Sequence, residues 1–135
     1  MKHPPDIFVS YAHGDSAAVT PVIRAMAEKG LKVWSAEDSV EPGESWEDAL
    51  EGAMDNANGY VIFLSPDYLR TRWTNFEMGA AAAKAAAAPQ RRLIPVLLPG
   101  TTWGEVPFLI RDRRGIDATK MSADDVAGAL TSALT

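Results

Sequence analysis

Trp73 and Glu77 stand four residues apart at the head of a strongly helix-forming stretch that runs to Ala88. At that spacing the two side chains share one helix face. The apolar run Tyr60-Val-Ile-Phe-Leu-Ser65 shortly before them reads as a buried strand. Open α/β sheets place their ligands at the loops and helix starts outside the carboxyl ends of such strands. A lone carboxylate there can stabilise positive charge that develops on a bound substrate. An aromatic plate beside it can stack on a flat heterocycle. Trp34 at the end of a second strand and Trp46 at the start of another helix are expected on the same side. Together the three tryptophans suggest a nucleotide or nicotinamide ligand. The bland alternatives carry comparable weight from the residues alone. Thr74-Asn-Phe-Glu77 matches the capping box, in which the glutamate folds back onto the N-cap amide, and each tryptophan could be core.

The elements that must position these residues alternate strand and helix, the pattern of a parallel sheet covered by helices. Asp6 to Tyr11 is the first strand, and Asp15 or Ser16 is placed to cap a helix bearing Val19, Val22, Ile23 and Met26 at helical spacing. Gly30 ends it, Leu31 to Trp34 is the second strand, and Pro42-Gly43 marks a turn in the polar loop from Ser35 to Ser45. A helix from Trp46 to Asn58 precedes the third strand, Tyr60 to Leu64. The alanine-rich helix after Trp73 stops at Pro89, and Arg92 to Leu98 is the fourth strand, with Pro95 suggesting an edge or a bulge. Residues 99–114 are irregular, Gly115 to Ala118 is a short fifth strand, and Ser122 caps a last helix. Neither a repeat nor a domain boundary is visible, so residues 1–135 read as one domain.

Composition removes several classes of function. Hydrophobic residues at 47% and charged ones at 23% are those of a soluble globular protein. The absence of cysteine excludes disulfides, thiolate metal sites and a cysteine nucleophile, and leaves a cytoplasmic location as the default. Eighteen acidic against 13 basic side chains give a net charge of −5, which attracts neither nucleic acid nor an anionic membrane. No apolar run approaches the roughly 18 residues of a membrane span. Phosphate-loop, dinucleotide-fingerprint and nucleophile-elbow motifs are missing, and His3 and His13 lack partners for a metal site.

The ordered set Asp6-Ile-Phe-Val-Ser-Tyr-Ala12, Leu31-Lys-Val-Trp34, Val40-Glu-Pro-Gly-Glu-Ser-Trp46, Val61-Ile-Phe-Leu-Ser-Pro66, Trp73-x-x-x-Glu77 and Leu93-Ile-Pro-Val-Leu97 resembles a Toll/interleukin-1 receptor (TIR) domain of the bacterial, NAD-cleaving kind. The resemblance covers nearly the whole chain, loosely from Pro99 to Arg114. It implies a flavodoxin-like three-layer sandwich around a five-stranded parallel sheet. It also implies an NAD⁺ glycohydrolase that breaks the nicotinamide–ribose bond, giving nicotinamide and ADP-ribose or a cyclised product. Glu77 falls on the family's catalytic glutamate, and Trp73 on the tryptophan preceding it. Ser10, Tyr11, Trp34, Asp38, Trp46 and Trp73 are the substrate-binding positions so implied. NAD⁺ is then substrate, with no cofactor or metal. The implied partners are other TIR domains, by self-association that activates the enzyme, and a fused or separate sensor domain. The implied setting is antiphage defence. A non-catalytic TIR–TIR interaction module is the alternative, and a virulence factor acting on host TIR signalling is a weaker third.

Overall fold

The computed structural model describes residues 6–36 and 41–135. Five strands form one parallel sheet: β1 (Asp6–Ser10), β2 (Lys32–Ser35), β3 (Gly59–Leu64), β4 (Arg92–Leu97) and β5 (Ile116–Asp117). Their spatial order is β2-β1-β3-β4-β5. The chain moves outward from β1 in one direction to β2 and in the other to β3, so the flavodoxin-like switch point lies between β1 and β3. Helices α1 (Ser16–Glu28) and α5 (Ala123–Leu134) cover one face. Helices α2 (Trp46–Asn56) and α4 (Arg72–Ala87) cover the other, with the one-turn helix α3 (Pro66–Arg70) between β3 and α4. This is the expected three-layer sandwich.

Alternation along β1 divides the core in two. Ile7 and Val9 join Val22, Met26, Val126 and Leu130 on the α1/α5 face, while Phe8 joins Leu50, Met54, Met78 and Ala81 on the α2/α4 face. β3 is buried along its whole length, as a central parallel strand must be. Ala81 and Ala85 are fully buried, so the alanine run lets α4 lie close to the sheet.

Three local expectations are corrected, and one holds. Asp15 precedes α1 but makes no capping bond; its carboxylate instead accepts a hydrogen bond from Ser65. α3 is additional, and its start is chemically plain: Ser65 Oγ accepts the Tyr68 amide at 3.0 Å and Pro66 occupies the first turn. The edge expected at Pro95 is found locally: the residue pairs in register with Ile62 of β3 and has no ladder partner on its other side among the described residues. That side of β4 meets β5 only at Val96 and Leu97. Leu97 O accepts the Ala118 amide, so Pro95, two residues earlier, also turns its backbone polar groups toward β5. The missing N–H therefore falls where pairing has not begun. Residues 99–114 hold two 3₁₀ turns, Trp103–Glu105 and Phe108–Ile110.

Gly115 permits the close approach of β5, because a Cβ there would sit 2.3 Å from Pro95 O and 2.6 Å from the Trp103 ring. Gly128 inside α5 has nothing within 4 Å of such an atom. Urea unfolding of Gly115→Ala should show a loss of about 1–3 kcal/mol from overpacking. Gly128→Ala should gain about 0.5–1 kcal/mol from helix propensity.

Candidate active site

Ser10 is the last residue of β1 and lies at the switch point, paired with Ile62 of β3. Alternation turns its side chain to the α2/α4 face, where α4 presents Glu77. Both are buried, at 1% and 2% exposure. Ser10 Oγ donates to Glu77 Oε1 at 3.0 Å, and the same oxygen lies 2.8 Å from the Tyr68 hydroxyl on α3. Three elements thus meet in one run of oxygens: Tyr68, Ser10, Glu77. Burial drives the Tyr68 pKa far above the ordinary 10.0, against the lowering effect of the Ser10 bond and with added repulsion from the Glu77 charge. The phenol therefore stays protonated.

The capping-box alternative does not survive this geometry. α4 begins at Arg72 with Thr71 as N-cap, so Thr74 already lies inside the helix. The Thr74 hydroxyl donates to Tyr68 O at 2.6 Å and Thr71 O at 3.0 Å. Glu77 is placed a turn deeper, and its carboxylate reaches β1. It is a buried carboxylate held by a hydroxyl at the carboxyl end of a parallel strand.

Of the expected site residues, Trp73 stands one turn before Glu77 and meets Trp46 edge-on, with ring centroids 5.2 Å apart and planes at 62°. Its other contact is Phe76, stacked at 5.4 Å. Trp46 and Phe76 are 38% and 57% exposed, so this aromatic group reaches the surface of the α2/α4 layer. The Trp73 Nε1 is buried without an acceptor among the described residues. Trp34 packs on the same α2/α4 face as Trp73, where it stacks on Phe8 at 5.5 Å and lines a cleft with Lys32, Asp48 and Gly52. Tyr11 packs in the α1/α5 cluster, on the opposite side of the sheet from Ser10. Asp38 lies outside the described residues. Among those residues no group of His, Asp or Glu is arranged to hold a metal.

Tyr68 and Phe76 complete the constellation and were not singled out from the sequence. Phe76 follows Trp73 by three, a spacing that puts two aromatics on neighbouring helical positions. The signal for Tyr68 was Ser65-Pro-Asp-Tyr68, an N-cap and first-turn proline that imply a helix three residues long or more.

The buried phenol makes the fold sensitive to alkali. The unfolded chain releases the Tyr68 proton above about pH 10, whereas the folded chain keeps it, so unfolding is favoured as pH rises beyond that value. In urea titrations from pH 9 to 11.5 the wild type should lose stability more steeply than Tyr68→Phe. The difference should approach about 1.4 kcal/mol per pH unit. Equal slopes would show that Tyr68 ionises freely in the folded state.

The TIR domain family model matches residues 7–132. The chain is 28% identical over 80 residues to AbTIR of Acinetobacter baumannii, named a 2′ cyclic ADP-D-ribose synthase, covering 58% of this chain and 30% of that protein. It is 25% identical over 92 residues to TcpC of Escherichia coli O6:H1, named an NAD(+) hydrolase, covering 67% of this chain and 30% of that protein. The chain thus spans about a third of the length of these relatives. Among solved structures, the TIR domain of the Toll-related receptor TRR-2 from Hydra magnipapillata superposes with a TM-score of 0.75 over 95% of this chain and 96% of that one, at 18% identity. With its five-stranded parallel sheet in the flavodoxin-like order, the chain belongs to the TIR domain family.

Proposed function

We propose that this TIR domain cleaves NAD⁺ between nicotinamide and ribose, with Glu77 as the catalytic residue. One observation carries the reading: a carboxylate buried at the β1/β3 switch point and bonded to Ser10, one turn after Trp73 on α4. The names of the bacterial relatives support the same reaction class. Nicotinamide leaves as a neutral molecule from a cationic ring, so the leaving group needs no protonation. The demand is to stabilise positive charge on the ribose as the bond lengthens. Glu77 meets it electrostatically, in a site where little water weakens the interaction. The aromatic surface of Trp46, Trp73 and Phe76 offers stacking to the flat parts of the dinucleotide, and Trp73 Nε1 offers a hydrogen-bond donor. Water attack on the ribosyl cation gives ADP-ribose, and attack by a hydroxyl of the same molecule gives a cyclised product.

Glu77 at 2% exposure is shielded from a ligand as large as NAD⁺. Turnover therefore requires the aromatic side to open, and self-association with other TIR domains supplies such a stimulus. In a cell the domain would act in the cytoplasm as the effector of an antiphage system, joined to a sensor on the same chain or another. A non-catalytic interaction module is the second reading. It is favoured by the exposed pair Phe108 and Leu109, at 84% and 59% exposure, far from Glu77 in sequence.

Nicotinamide release measured on the purified domain, free and clustered on a scaffold, separates the two. Clustered wild type should release nicotinamide, and Glu77→Gln should lower the rate by about a hundredfold or more while keeping the wild-type circular dichroism. Undiminished release by the variant would remove Glu77 from the chemistry. No release by the clustered wild type would favour the interaction module.

A further inference from the structure

We infer that Tyr68 is a positioning residue that holds the Glu77 carboxylate through Ser10, an inference resting on the catalytic reading of Glu77. A serine hydroxyl has one hydrogen, and Ser10 spends it on Glu77 Oε1 at 3.0 Å. The 2.8 Å contact with Tyr68 must then run the other way, with the phenol donating to Ser10 Oγ. Tyr68 is suited to that direction, because full burial keeps its proton in place. The order of donors is fixed: Tyr68 to Ser10, Ser10 to Glu77.

Tyr68 grips the same helix a second time. Its carbonyl accepts from Thr74 Oγ1 at 2.6 Å, and Thr74 lies one turn before Glu77 on α4. The Tyr68 hydroxyl, Ser10, the Glu77 side chain, one turn of α4, Thr74 and the Tyr68 carbonyl therefore close a ring. All of its side-chain members are buried, at 3% exposure or less. The ring is itself anchored, since Ser65 caps α3 at the Tyr68 amide and donates to Asp15 before α1. Within it the Ser10 hydroxyl is bound at both its hydrogen and a lone pair, so it has no freedom to swing toward a ligand. Ser10 then acts on Glu77 and not on substrate. Removing the phenol oxygen frees the Ser10 rotor and leaves a buried lone pair unsatisfied, while the aromatic ring still fills the core.

Two measurements on the whole domain test this. In nicotinamide release by clustered protein, Tyr68→Phe should lower kcat by between about tenfold and a hundredfold, the effect of a misplaced catalytic group, with KM held within about twofold. Ser10→Ala should do the same, and the double variant should be no worse than Ser10→Ala, because the Tyr68 hydroxyl acts only through Ser10. The second measurement needs no turnover. In glutamate carboxyl ¹³C spectra, with Glu77 assigned from Glu77→Gln, Tyr68→Phe should move or broaden the Glu77 line as Ser10→Ala does, and the double variant should move it no further. An unmoved line, or additive losses in kcat, overturns the positioning role even if NAD⁺ is cleaved. A coupled shift without any nicotinamide release upholds the hydrogen-bonded ring and overturns the catalytic reading instead.

Discussion

A single serine oxygen joins the first strand to two consecutive helices 58 and 67 residues further along the chain. Ser10 ends β1, Tyr68 sits on α3 and Glu77 on α4, and their polar atoms have been taken out of water together. Leaving any one of them without a partner would cost about 1–3 kcal/mol, so each constrains the placement of the other two. α4 is consequently fixed in rotation as well as in height over the sheet. Its alanines then meet the sheet closely, Trp73 lies half-buried against Trp46, and Phe76 turns outward. The same polar junction thus sets both the apolar packing of this layer and the geometry of the candidate site.

Stability and the proposed catalysis draw on that junction in different ways. A buried carboxylate is expensive to maintain, which is why it is found with hydrogen-bond donors and not alone. The neighbouring phenol lowers the cost only while it keeps its proton, and burial ensures that it does. The carboxylate is accordingly held in place by the fold itself, which suits the electrostatic role proposed for it.

Much of this was legible from residue order. The strands, the switch-point topology and the place of Glu77 follow from apolar runs, helix signals and the ordered TIR motifs, because those are local patterns. What stayed hidden depends on contacts across the fold. Thr74 and Glu77 have capping-box spacing, yet the helix starts at Arg72 and the threonine bonds to Tyr68 O instead. Trp34 stacks on Phe8 from the edge strand β2, a contact between neighbouring strands that no local pattern fixes. Tyr68 drew no notice, since nothing in its neighbourhood says which hydroxyl it will meet 58 residues away. Asx-type capping at Asp15 gave way to Ser65 for the same reason.

Pro95 has a consequence beyond the register of β4. A parallel sheet whose last strand is two residues long leaves the amino-terminal part of its neighbour only partly covered. An open run of donors and acceptors at Leu93 to Pro95 would be a template for a foreign strand, the usual beginning of edge-to-edge aggregation. The proline deletes the donor on that side. Arg91, Arg92, Arg113 and Arg114 line the groove of about 400 Å³ beside it and place like charges where a second copy of the same edge would have to approach. The short fifth strand is therefore tolerable because the strand it fails to cover is already a poor partner for any other.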